Sequence, residues 1–253
     1  MNRRLSLSLT LAIATLSAAN ARADDKAPLA ILEKAIKAKG GEEKLKKITT
    51  TWVKSKGKVI FNGQENAFTS TATTTHDTAV RFRSEFEGEF GGNEVKAVSI
   101  LNGDKGWRKL NEQVMDMDED GIANEKRTVY LAALPAALYP LKDAKYKLAS
   151  VPDQKVKGKE AIGFKVTTPD GKDFTLFFDK ESGLPVKSVA EVVGWQGDSF
   201  TQETYYSAYK EYNGVKTATK IESMRDGEPF IELEISEFKV LDKAPAGTFD
   251  EPK

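Results

Sequence analysis

Residues 128–141 read T-V-Y-L-A-A-L-P-A-A-L-Y-P-L, the longest nearly uncharged run outside the N-terminus. They separate two long series of strand-like segments. Val129, Tyr130, Ala133, Leu134, Ala137, Leu138 and Leu141 recur at helical spacing and form one apolar stripe. Pro135 removes a backbone donor and clashes one turn back, so the run is expected as two short helices or one sharply bent helix. It is too short and too broken to span a bilayer, so protein must cover it. Its expected place is the mouth of a curled sheet, as a lid hinged at Pro135 and Pro140.

On both sides of this run the chain reads as antiparallel strands. Five dipeptides mark tight hairpins: Asn62-Gly63, Asn102-Gly103, Asp170-Gly171, Asn213-Gly214 and Asp226-Gly227. Such pairs accept positive φ at the centre of turns whose twist matches the flanking strands. Val80, Phe82 and Phe86 alternate with Arg81, Arg83, Glu85 and Glu87, which assigns the apolar set to a dry face. Ile162, Phe164 and Val166 show the same period, as do Phe174, Leu176 and Phe178. Ile231, Leu233 and Ile235 hold one phase while Phe238 and Val240 hold the other, so a bulge near Ser236-Glu237 is expected. Residues 69–78, rich in Thr and poor in large apolar groups, read as a partly exposed strand. Trp52 shares a strand face with Lys54, Lys56 and Lys58, which is read as a solvated face with one half-covered ring. Trp195 falls at an expected hairpin tip.

Before the strands, Pro28 suits a first helical turn, and Leu29, Ile31, Leu32, Ala35 and Ile36 make an amphipathic stripe that Gly40-Gly41 stops. Leu45 and Ile48 would face inward from one further turn. The fold class is therefore mainly β with a few helices (α+β), long one-sided antiparallel strands favouring a curled sheet or half-barrel. Residues 1–23 have the pattern of a secretory signal: Arg3 and Arg4, an apolar core, then Ala21-Arg22-Ala23. Residues 24–253 are expected as a single domain, periplasmic or otherwise exported. With no Cys there is neither a disulfide framework nor a lipid-modified N-terminus. With 38 basic and 38 acidic side chains, nucleic acid is not expected as a partner.

Signatures of catalysis are scarce. The sequence has no G-x-S-x-G, Walker A or G-x-G-x-x-G motif, and His76 is its one histidine. On a strand, His76 and Asp77 point to opposite faces, so no catalytic residue is assigned and the chain is not expected to be an enzyme. Residues 116–121, D-M-D-E-D-G, match the opening of a calcium loop, but its twelfth position holds Arg127 instead of Glu. The stretch is read as a charged strand end leading into a helix, where acidic groups oppose the dipole favourably. No metal and no cofactor are expected.

Several local motifs carry a resemblance. Residues 102–107, N-G-D-K-G-W, form a turn-then-Trp element; residues 177–186, F-F-D-K-E-S-G-L-P-V, an F-D-x-x-x-G-x-P hairpin; residues 248–252, T-F-D-E-P, a closing F-x-x-P. With the element order, these resemble the periplasmic lipoprotein carriers (LolA/LolB-like) and the related RseB-type lipid-sensing domains. The carriers' Arg-Pro pair has no counterpart at His76-Asp77-Thr78. The resemblance implies an unclosed barrel of about eleven strands with helices over its mouth. It also implies a non-enzymatic, monomeric carrier or chaperone for a lipoprotein acyl chain or other lipid. A lipid-responsive sensor or adaptor touching an envelope protein, and a scaffold with a filled core, remain the alternatives. The expected cavity residues are Val80, Phe82, Phe86, Leu131, Leu134, Leu138, Phe164, Phe174, Phe178, Ile231, Leu233 and Ile235.

Overall fold

A computed structural model describes residues 26–61, 63–75, 80–194 and 197–253. Residues 1–23, expected as a secretory signal, and Asn62, His76, Asp77 and Trp195 lie outside the described residues. Helices α1 (Lys26–Lys39) and α2 (Glu42–Lys46) open the chain. Six strands follow: β1 (Thr50–Phe61), β2 (Gln64–Thr75), β3 (Arg81–Phe90), β4 (Asn93–Asn102), β5 (Lys105–Leu110) and β6 (Gln113–Asp116). After α3 (Glu119–Ala137) and a 3-10 turn (Tyr139–Lys142) come β7 (Lys147–Ser150), β8 (Gln154–Val156), β9 (Lys159–Thr167) and β10 (Asp173–Asp179). The chain then forms β11 (Pro185–Val193), β12 (Ser199–Tyr212), β13 (Val215–Arg225) and β14 (Glu228–Leu241).

All fourteen described strands join one antiparallel sheet, in the order β6-β5-β4-β3-β2-β1-β14-β13-β12-β11-β10-β9-β7, with β8 on β9. The sheet is curled and unclosed. The count exceeds the expected eleven because β6, β7 and β8 are pieces of only four, four and three residues, too short to leave an alternation in the sequence. β6 and β7 end the sheet, and α3 connects them, so the helix must pass from one rim to the other.

The hairpin signals describe the turns well. Asn213 and Asp226 have φ of 50° and 48°, followed by Gly214 and Gly227 at 75° and 85°, the two consecutive positive values that a tight hairpin requires. Gly40, at φ 130°, stops α1 and lies so close to the Gly214 carbonyl that a Cβ would sit 2.2 Å from that oxygen. α1 is thereby seated on the β12–β13 hairpin.

The apolar run departs from its expected boundaries. α3 starts at Glu119, capped by Asp118, whose carboxylate accepts from the Gly121 N–H at 2.8 Å. Residues 116–121 are thus a strand end and helix cap. Pro135 lies inside the last turn without ending the helix. The break falls at Leu138, with φ 59° and ψ −46°, between Pro135 and Pro140. That conformation lies near the strained classic γ-turn and is costly for a branched side chain.

The core lies between α1, α3 and the β9–β11 side of the sheet. Leu32, Ala35 and Ile36 meet Leu134, Leu138, Leu141, Phe164, Val166, Phe174, Leu176 and Phe178 in one cluster. Leu29, expected in the α1 stripe, is instead 45% exposed. Arg127 ties α3 to the same wall, donating to the Asp173 carbonyl and lying over the Phe174 ring. On the outer face, Arg83 donates to the Thr248 carbonyl and Asn102 to that of Phe249, which fixes the closing F-x-x-P segment.

Candidate functional site: an apolar cavity beneath α3

Between α3 and the β1, β2, β13 and β14 walls lies a cavity of about 350 Å³. Two alternations build its sheet walls. Thr51, Val53 and Ser55 of β1 face it, as do Ser70, Ala72 and Thr74 of β2. The intervening Trp52 turns outward under the Lys239 ammonium, 4.3 Å from the ring centroid. Small side chains therefore leave a hollow where larger ones would have met the helix. Residues 69–75 form a partly exposed strand, as expected: Thr69 is exposed and Ser70, Thr71, Ala72 and Thr74 are half-buried, while Thr73 and Thr75, on the face away from the cavity, are buried.

Two irregularities bring further groups to the same face. Lys54 pairs with Glu237 but Ser55 pairs with Ile235, so Ser236 is the extra residue of a bulge. Its hydroxyl donates to the Lys54 carbonyl at 3.1 Å. Leu233 and Ile235 before the bulge and Phe238 after it thus all reach the cavity. On β12, Ala208 has φ 53° and leaves the ladder opposite Thr219, whose hydroxyl donates to the Ala208 carbonyl. Tyr206 and Tyr209, three apart, consequently share the cavity face.

The roof is the second stripe of α3. Val129, Ala132, Ala133 and Ala136 line the cavity, while Leu134 and Leu138 point to the filled core. One helix thus has a leucine face for packing and an alanine face for the hollow.

Polar groups in the walls are mostly paired with each other. Ser55 and Ser70 share a hydroxyl hydrogen bond of 2.8 Å. The Tyr209 hydroxyl donates to the Pro185 carbonyl at 2.6 Å, and the Tyr206 hydroxyl lies 2.8 Å from that of Ser188. Burial pushes the Tyr206 phenol up to about 12 and Tyr209 higher still. Lys39, at the end of α1, also lines the cavity and is 2% exposed. Its ammonium donates to the Lys216 carbonyl at 2.9 Å, and burial lowers its pKa from 10.5 to about 8.

The expected cavity residues fall into distinct places. Phe82, Leu233, Ile235 and Pro135, the last expected as a hinge, line the hollow. Phe86 stacks on Phe68 with ring centroids 4.9 Å apart. Val80 is half-buried just ahead of β3. Leu134, Leu138, Phe164, Phe174 and Phe178 are packed in the core cluster, with half-buried Leu131 against it. Ile231 borders a separate groove with Lys157, Lys187, Tyr205 and Glu222. Pro140 belongs to the 3-10 turn. Lys39, Tyr206, Tyr209 and the small residues were not among the expected set. Lys39 had a signal: it continues the Leu32, Ala35, Ile36 stripe at helical spacing. The tyrosines had none, because their shared face depends on the interruption at Ala208.

No protein-family model and no curated protein matches the sequence. Solved structures do match. A domain named for outer membrane lipoprotein sorting, from Vibrio parahaemolyticus, superposes with a TM-score of 0.55 at 12% identity, covering 90% of this chain and 97% of its own. A LolA superfamily protein from Nitrosomonas europaea gives 0.53 at 13% identity, covering 88% and 96%. A DUF1329 family protein from Desulfovibrio piger gives 0.56 at 11% identity, covering 88% and 97%. The chain shares its fold with these solved structures, the fold that the resemblance carried by the sequence motifs implies.

Proposed function

We propose that this protein is a non-enzymatic, exported binding protein that holds the acyl chain of a lipid or lipoprotein in the cavity beneath α3. The observation that carries the reading is the hollow itself: about 350 Å³, walled by Val53, Ala72, Ala133, Leu233, Ile235 and Phe238. That volume falls within the range of about 300–1,000 Å³ typical of small-molecule sites. The fold shared with a domain named for lipoprotein sorting supports the same reading.

The geometry also refines how such a site works. Because the α3 leucines pack into the core and its alanines face the hollow, a ligand does not compete with the leucines for space. A chain of about twelve methylenes gains roughly 10 kcal/mol on burial at about 0.8 per group. Lifting Leu134, Leu138 and Leu141 costs on the order of 5–9 kcal/mol at about 1.5–3 each. Access by local yielding at the strained Leu138, between the two prolines, is cheaper than release of the whole helix.

Native mass spectrometry of gently purified full-length protein, followed by uptake of a fluorescent acyl probe, tests the proposal. Co-purified lipid or saturable uptake is the expected result. Persistently empty protein with no uptake would overturn it.

A further inference from the structure

Among the described residues, the cavity wall contains a cation without a counter-charge. Lys39 follows Leu32, Ala35 and Ile36 at helical intervals, so the geometry of α1 turns it inward with its buried neighbours. Of the described residues that line the cavity, it alone carries a full charge. An ammonium has three donors. The described structure shows one hydrogen bond, to Lys216, and a ring contact with Tyr209 at 5.8 Å. No carboxylate pairs with it among the described residues. Tyr206 and Tyr209 are the other titratable groups facing the cavity, and burial keeps both phenols neutral.

Complementing the α1 dipole does not explain this placement, since the exposed Lys37 already puts a cation in the last turn without burial. Burying an unpaired charge is costly unless a partner arrives. Even so, a pKa of about 8 leaves the amine mostly protonated at neutral pH. A hollow with apolar walls and a single buried cation is complementary to a ligand with one apolar chain and one negative charge.

We propose that the cavity selects a single-chain carboxylic acid of about a dozen carbons, the Lys39 ammonium serving as counter-ion to the carboxylate. The proposal rests on the acyl-binding reading above. Chain length follows from volume: a methylene fills about as much space as a water molecule, roughly 30 Å³. One cation balances a carboxylate, whereas a phosphate dianion would leave a second charge buried and unpaired.

Calorimetric titration of the full chain at pH 7 with dodecanoic acid and with 1-dodecanol, each below its aggregation limit, separates the possibilities. The acid is expected to bind about tenfold tighter or more, as a charge-assisted contact implies. Lys39→Met is expected to remove that preference, weakening the acid at least about tenfold more than the alcohol. Raising the pH to 9.5 should weaken the acid alone, as the amine loses its proton. Equal affinities in the native chain, or an equal loss of both ligands in the variant, would overturn the carboxylate assignment and leave acyl binding intact. Failure of both ligands to bind would overturn the underlying reading as well.

Discussion

The β9–β11 wall and the β1–β2–β14 wall are built on the same alternation and end in opposite states. The first points Phe164, Val166, Phe174, Leu176 and Phe178 at α3 and is filled. The second points Val53, Ser55, Ser70, Ala72 and Thr74 toward the same helix and is hollow. α3 mirrors the difference, with leucines toward the full side and alanines toward the empty one. The cavity is thus made by subtraction of side-chain volume from a pattern that elsewhere produces a core. The proposed binding site needs no reactive group, only a scaffold stiff enough not to collapse into the space.

The sharpest way to test the contrast is to empty the full wall. Phe178→Ala is expected to cost about 3–5 kcal/mol in urea unfolding, the usual penalty for a large buried ring. A loss below about 1 kcal/mol would mean that this wall is not close-packed.

The hollow should respond in the opposite sense at Lys39, which lines it from the end of α1. The amine is held near 8 in the folded chain against a usual 10.5. Between those values the unfolded chain binds more protons, so native stability rises with pH across that window. Below about 8 the full penalty is present, on the order of 3 kcal/mol for that shift. Lys39→Met should therefore stabilise the empty protein by up to that amount at pH 7, and the gain should vanish above about 10.5. Unfolding curves at pH 7 and pH 10.5 check this, and a variant less stable than the native chain at pH 7 would contradict it.

The smallest effect on stability is expected from filling the hollow. The double variant Ala72→Leu/Ala133→Leu adds about six carbons to a space for about twelve. Its stability should change by less than about 1.5 kcal/mol, since the space is already open.

Much of this architecture could be read from the sequence. Turn dipeptides such as Asn213-Gly214 located hairpins because positive φ is a local demand of the backbone. The bulge at Ser236 was visible as a change of phase between Ile235 and Phe238. The site was less legible. Large apolar residues announce a dry face but not whether it is full, so Phe164 and Phe178 looked like cavity residues and proved to be core. The true walls were hidden in Thr-, Ser- and Ala-rich stretches, whose meaning depends on what lies opposite. α3 showed the same difficulty: its leucine stripe was obvious, while the alanine stripe that roofs the hollow resembles helix filler. Lys39 continues the Leu32, Ala35 and Ile36 stripe at helical spacing, but its charge masks that signal, since lysine is also an ordinary residue of a helix C-terminus.

The central claim is that the space beneath α3, rather than the protein surface, takes up an acyl chain. Titration of a fluorescent acyl probe into the native chain and into Ala72→Leu/Ala133→Leu tests it most directly. Saturable one-to-one uptake by the native chain, reduced at least about tenfold in the filled variant, is the predicted result. Equal uptake by both would place binding elsewhere and contradict the account.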